Sequence, residues 1–175
     1  MIYSVSHKAE LMSILWVTLV ISLLFLENVS PQEKCESEWK QFSRAFYKRY
    51  CNATFDEAEK TCQAEDGHLV SIHSKEENQF VRELICPMDT KKNSGDHLND
   101  YIWIGLREEE KGVWRWVDGT EMDYKHWAGG EPNNHGGNED CGQMYTDDTQ
   151  NWNDVRCDRR MRFFICKTVM IIEKL

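Results

Sequence analysis

Seven cysteines in 175 residues constrain this chain more than any other feature. In a chain of this size such usage means disulfides made in an oxidising compartment, so the fold has to bring distant segments together and the cytosol is disfavoured. The six histidines, His7, His68, His73, His97, His126 and His135, form no His-Glu-x-x-His pair and no Cys/His cluster with zinc spacing. An odd count leaves one cysteine over, and a disulfide-linked dimer is one use for it.

The length fits one domain with its own core and a short N-terminal extension. A formal net charge of −9 argues against a phosphate-binding surface, and hence against nucleic acid as a partner, and for solubility or cation binding. The one long apolar run, residues 11–26, is interrupted by Ser13, Thr18 and Ser22, follows Lys8 and precedes Glu27. Its length falls between a signal-peptide core of about 7 to 15 residues and a membrane span of about 17 to 25.

Residues 1–30 therefore read as a signal peptide or a signal anchor. No small-x-small cleavage pattern follows, and Pro31 would obstruct a cut after Ser30, whereas initiation at Met12 would give an ordinary signal peptide. Both versions export the rest of the chain. The expectation is secretion, with a type II membrane protein as the alternative. Outside the cell, Asn52-Ala53-Thr54 is a glycosylation acceptor, and Asn28-Val29-Ser30 is a second one weakened by Pro31. Residues 31–34 make a short linker with no heptad or Gly-X-Y pattern, and 169–175 a C-terminal tail.

Thr54 with Glu57 forms a capping box, and Phe55, Ala58, Thr61 and Cys62 recur at helical spacing up to Gly67. Ser74 with Glu77 opens a second helix whose apolar stripe, Phe80, Val81, Leu84 and Ile85, ends before Pro87. Residues 88–100 read as a polar surface loop. Residues 101–106 and 113–117 are aromatic and β-branched, separated by Gly112 and closed by Asp118-Gly119, and predict short core strands. Phe163-Phe164-Ile165 closes the domain as a last strand. Helices first and strands later give an α+β fold.

Residues 119–154 hold six of the ten glycines and many Asn, Asp and Glu side chains, and so long an irregular stretch needs an external organiser. Glu131-Pro132-Asn133 supplies a carboxylate and an amide about a proline, whose preceding bond is readily cis, a geometry that would aim both oxygens at one point. Glu139 adds a carboxylate, and Asn153-Asp154 an amide and another. Ca²⁺ takes about 6 to 8 oxygens in irregular geometry, whereas Zn²⁺ prefers sulfur and imidazole. The set Glu131, Asn133, Glu139, Asn153 and Asp154 fits calcium, and without it three carboxylates would repel one another across a loop poor in apolar residues. Glycosidases also pair two acidic residues, but here the carboxylates are interleaved with amides suited to one cation, so the chain is not read as an enzyme.

Trp103-Ile104-Gly105-Leu106, Glu131-Pro132-Asn133, Glu139-Asp140-Cys141, Trp152-Asn153-Asp154 and Phe164-Ile165-Cys166 together resemble the C-type lectin domain over residues 35–168. The resemblance implies a disulfide-stapled fold of two helices, short antiparallel sheets and a long calcium-organised loop. In that family a Glu-Pro-Asn tripeptide goes with mannose, fucose and N-acetylglucosamine, and Gln-Pro-Asp with galactose. It implies glycans or glycoproteins as partners, bound through vicinal hydroxyls on the ion, with Glu131, Asn133, Glu139 and Asn153 also contacting them and Asp154 serving mainly the ion. His135, in the same loop, either touches the sugar or sits in a turn.

The family's two regular bridges fall on Cys62–Cys166 and Cys141–Cys157. For the other cysteines, either Cys35 pairs with Cys51 and leaves Cys86, or Cys51 pairs with Cys86 and leaves Cys35 for a dimer. Many members hold an auxiliary calcium, but Asn134 stands where an acidic ligand is frequent and the segment from Glu108 to Lys111 does not align. Trp127, just before the tripeptide, is expected to brace the loop.

Overall fold

The structure, a computed structural model, describes residues 35–85 and 101–169. The expectations for residues 1–34, Cys86, the loop at 88–100 and the end of the tail lie outside them. A hairpin of β1 (Lys40–Phe42) and β2 (Ala45–Ala53) leads into α1 (Phe55–Gln63). After β3 (His68–Leu69) and α2 (Lys75–Glu83) come β4 (Tyr101–Glu110) and β5 (Val113–Trp116), then β6 (Cys141–Tyr145), β7 (Trp152–Val155) and β8 (Met161–Val169).

All eight strands belong to one sheet, ordered β1-β2-β8-β4-β6-β7, with β3 attached to β8 and β5 to β4. The short antiparallel sheets expected from the sequence are thus joined, and the junction is a parallel pairing of β4 with β8, Ile102 opposite Phe163 and Trp103 opposite Phe164. Period-two alternation then buries the sheet on both sides. Ile102, Ile104, Phe163 and Ile165 meet Val81, Leu84 and Ile85 of the second helical segment. Trp103, Phe164 and Cys166 meet Phe55, Ala58 and Cys62 of α1.

The two helix starts differ. At α1 the box is reciprocal: Thr54 Oγ1 accepts from Glu57 N–H and Glu57 Oε2 accepts from Thr54 N–H, an arrangement for which the cap alone contributes about 1 kcal/mol. At α2 only Ser74 Oγ accepts from Glu77 N–H. The Glu77 carboxylate is drawn elsewhere, accepting from His73 N–H, from the Tyr47 hydroxyl and from Lys167 Nζ at 2.6 Å. Burial first, and then the bond to Glu77, push the Tyr47 hydroxyl far above the usual tyrosine range. This half of the second box is therefore a buried polar link from α2 to β2 and β8.

Disulfides join Cys62 to Cys166, Cys141 to Cys157 and Cys35 to Cys51. The first ties α1 to β8, and the second ties the start of β6 to the turn after β7. Two glycines let strands approach where a side chain would collide. A Cβ at Gly105 would lie 2.5 Å from the Leu69 carbonyl oxygen, and one at Gly142 would lie 2.7 Å from Leu106 Cβ.

The stretch at 119–154 is not irregular throughout, because β6 and β7 lie within it. Its residues 119–140 are irregular apart from a 3₁₀ turn at His135–Gly137.

Candidate functional site

The loop that carries the predicted donors is fastened before its polar residues begin. Trp152 N–H donates to His126 C=O, and Ala128 N–H to Trp152 C=O, both at 2.8 Å. The Trp127 ring packs on Trp114 and Trp152, with centroids 5.0 and 6.0 Å away. Trp127 therefore braces the loop against β7. The Trp152 indole, fully buried, donates to Asn78 Oδ1 at 2.8 Å and so also ties β7 to α2. At the far end of the loop, Glu108 N–H donates to Asp140 C=O.

Between these fastenings the chain turns about β7. The Glu131–Pro132 bond is cis. Both oxygens of the fully buried Asp154 carboxylate are in use, accepting from Asn133 N–H at 3.1 Å and Asn134 N–H at 2.6 Å. Asn134 sits in the left-handed region at φ 47°, which asparagine tolerates better than most residues. Its Oδ1 accepts from Glu139 N–H at 3.1 Å, while Glu139 Oε2 accepts from His135 N–H at 2.9 Å. This double link closes the 3₁₀ turn. His135 is exposed and is engaged there through its backbone rather than its imidazole.

Glu131, Glu139 and Asp154 are thereby drawn into one electrostatic neighbourhood. The Glu131 carboxyl is held above the usual glutamate range, first by burial, then by its proximity to Asp154 and by the charge of Glu139, with Asn133 N–H partly offsetting them. Glu131 Oε2 is buried without a hydrogen-bond partner among the described residues. Asn153 Nδ2 donates to Asp154 C=O at 2.6 Å, a bond that does not use its Oδ1.

This donor chemistry fits a hard cation. An acceptor-only oxygen left without a proton donor, in the field of two more carboxylates, is what such an ion satisfies. No group of three or more His, Cys, Asp or Glu side chains is gathered into a ready cluster among the described residues. Asp154 and Glu139 instead take up the backbone N–H groups of Asn133, Asn134 and His135.

Two neighbours of the site carry no signal in the sequence until β6 is recognised as a strand. Gln143 lies directly opposite Asn153 in the β6–β7 pairing, is 4% exposed, and has an Oε1 without a partner among the described residues. Tyr145 follows on the same face and lies opposite Tyr101 in the β4–β6 pairing. Burial chiefly, then Tyr101, and also Glu131, Asp147 and Asp154, raise its hydroxyl above the usual range.

Asn52, the predicted glycosylation acceptor, is exposed at the end of β2 with φ 60°. The other described histidines have partners outside the predicted donor set: His68 meets Glu59, His73 meets Asp123, and His126 meets the Thr149 carbonyl oxygen. No helix among the described residues is long and apolar enough to cross a membrane.

Comparison with known proteins places this geometry. Residues 51–168 match the family model for the lectin C-type domain. The chain is 37% identical over 158 residues to C-type lectin lectoxin-Lio1 of Erythrolamprus poecilogyrus, covering 87% of this chain and 91% of that protein. Among solved structures it resembles the C-type lectin CEL-I of Cucumaria echinata, with a TM-score of 0.68 and 26% identity over 78% of this chain and 99% of the other.

The cow CD23 carbohydrate-recognition domain, solved in the presence of a GlcNAc2Man3 oligosaccharide, matches with a TM-score of 0.64 and 29% identity over 78% of this chain and 96% of that one. A calcium-independent type II antifreeze protein shares the fold at a TM-score of 0.63 and 28% identity, over 78% of this chain and 95% of the other. With the family model covering most of the described domain and full-length relatives above the level of chance, the chain belongs to the C-type lectin domain family.

Proposed function

We propose that this protein is a calcium-dependent lectin for mannose-type sugars. The observation that carries the reading is Glu131 Oε2, a buried acceptor without a partner, set among the carboxylates of Asp154 and Glu139. Bound calcium supplies a centre that takes up two vicinal sugar hydroxyls and makes them stronger donors. Glu131 and Glu139 accept from those hydroxyls, and the amides of Asn133 and Asn153 donate to them. Asp154, buried and bonded to the Asn133 and Asn134 backbone, holds the loop in register and faces the ion. His135, exposed on the 3₁₀ turn, is assigned a contact at the rim of the sugar.

Mannose-type preference is supported by Glu131-Pro132-Asn133 and by the likeness to the CD23 domain, whose structure was obtained with a mannose-containing oligosaccharide. Retention on mannose-agarose in calcium, and release by EDTA, is the expected result. Retention indifferent to EDTA would refute the mechanism. The double change Glu131→Gln and Asn133→Asp is expected to move preference toward galactose with calcium binding kept.

A calcium-independent antifreeze protein shares the fold, so the fold alone does not demand calcium, and the second reading is a domain of the same fold that binds a protein ligand without sugar. Absence of any calcium-dependent retention across a glycan array would favour it. We further propose export and secretion through residues 1–30, and an N-glycan on Asn52. Protein expressed through the secretory route is expected to lose mass on endoglycosidase treatment, and Asn52→Gln to be insensitive to it.

A further inference from the structure

The chain's negative charge is concentrated in one segment. Residues 108–154 hold twelve of its thirty Asp and Glu but only three of its twenty-one Lys and Arg, namely Lys111, Arg115 and Lys125. The rest of the chain has eighteen of each sign, so the whole net charge of −9 resides in the segment that contains every proposed ligand. The fold sets part of that charge against the site. Glu108, Glu109, Glu110 and Asp140 line a hollow of about 410 Å³ together with Asn134. Asn134 in turn donates its N–H to Asp154 Oδ2 at 2.6 Å and accepts from Glu139 N–H at 3.1 Å. Of the four carboxylates, Glu109 alone is ion-paired among the described residues, to Arg115 Nε at 2.9 Å. Lys111 is the one cation lining the hollow. Asp147, exposed just beyond β6, acts together with Glu131 and Asp154 on the Tyr145 hydroxyl, so it shares the same field. Within the donor set, calcium offsets two of the three charges of Glu131, Glu139 and Asp154. The loaded loop therefore stays negative.

We infer that this field makes the site selective for uncharged mannose-type glycans and against their phosphorylated, sulfated or sialylated counterparts. The inference rests on the sugar-binding reading above and adds no further contact to it. The flanking carboxylates act through space on whatever charge the glycan carries, and a neutral sugar presents none. An anionic group on or next to the calcium-bound residue enters a field that reaches about 8 Å at physiological ionic strength and about 30 Å at 0.01 M. Like charges brought together on binding cost affinity directly. Glu109, Glu110, Asp140 and Asp147 are exposed, so salt screens their part of the cost. That dependence separates an electrostatic penalty from a steric one, which salt leaves untouched.

The test titrates the calcium-loaded full chain calorimetrically with methyl α-mannoside, its 6-O-methyl ether and its 6-phosphate at several ionic strengths. The ether, which adds bulk without charge, is expected to bind within about twofold of the parent. The phosphate is expected to bind roughly tenfold more weakly at about 0.01 M ionic strength, roughly threefold at about 0.15 M, and with no difference at about 1 M. The double change Glu110→Gln and Asp147→Asn, isosteric and outside the donor set, is expected to keep the mannoside affinity and to shrink the low-salt penalty at least about twofold. If that variant fails to fold, the salt series on the wild type decides alone. A phosphate bound as tightly as the parent at low salt, an ether as weak as the phosphate, a penalty that salt leaves unchanged, or one intact in the folded double variant overturns the inference while leaving the primary site standing. No calcium-dependent binding of methyl α-mannoside overturns the primary reading and the selectivity with it.

Discussion

Replacing Trp152 with Phe tests how the site loop is supported. Trp152 is fully buried, donates to Asn78 Oδ1, and contacts Trp116, Tyr124 and Trp127 at centroid distances of 5.5, 5.6 and 6.0 Å. The smaller ring removes a donor and leaves the 1%-exposed Asn78 with an oxygen that no longer has the indole. That loss costs about 1–3 kcal/mol, and a residual void of some tens of Å³ adds about 1 kcal/mol at ~24 cal/mol per Å³. Weakened aromatic contacts contribute a further ~1 kcal/mol.

The total, about 3–5 kcal/mol, corresponds to a fall in Tm of roughly 10–20 °C for a domain of this size. Thermal unfolding followed by near-ultraviolet circular dichroism reads it directly. Adding Asn78→Leu removes the stranded acceptor, so the double variant should cost about 1–2 kcal/mol less than the sum of the singles. Strict additivity, or a Trp152→Phe loss below about 1 kcal/mol, would refute the view that the Trp152–Asn78 bond secures β7 to α2.

Glu77→Gln should destabilise the domain by about 3–5 kcal/mol, because it strips the largely buried Lys167 of its counter-charge while also weakening the bond from Tyr47; urea unfolding checks this. The pH dependence of the calcium-free protein follows from Glu131. Its folded carboxyl is raised, so in the window between the ordinary glutamate value and the raised one the folded state binds more protons than the unfolded. Stability in EDTA should therefore contain a component that falls as pH rises through that window. Glu131→Gln should remove that component in unfolding curves taken across the carboxylate range. Calcium at about a hundredfold its Kd should raise stability by about 2.7 kcal/mol at neutral pH, and less as acid competes for the ligands.

The helices were legible because their starts are written locally: Thr54 and Ser74 are caps, and the apolar spacing after them survives in the fold. Strand β2 was not, since Lys48 and Arg49 interrupt its apolar pattern. Arg49 is nevertheless buried, donating to the carbonyls of Leu84 at 2.7 Å and Cys35 at 3.1 Å, partners that lie far along the chain. Strands β6 and β7 were hidden by Gly142 and by Asn153-Asp154, residues typical of turns, which here serve close packing and the anchoring of the loop backbone. The proposed oxygen donors were chosen on residue type alone. The role of Asp154 in holding the backbone at Asn133 and Asn134 could not, because it depends on a contact about twenty residues apart in sequence.

The Cys62–Cys166 bridge has a practical corollary for anyone handling the protein. It spans 104 residues and encloses the whole loop that carries the proposed site. A protease that cleaves once between residues 129 and 138 would leave two fragments, one carrying Cys62 and the other Cys141, Cys157 and Cys166, still covalently attached to each other. Such clipped molecules would migrate with intact ones on a gel until a reductant is added, so a preparation that looks homogeneous can still have lost its site.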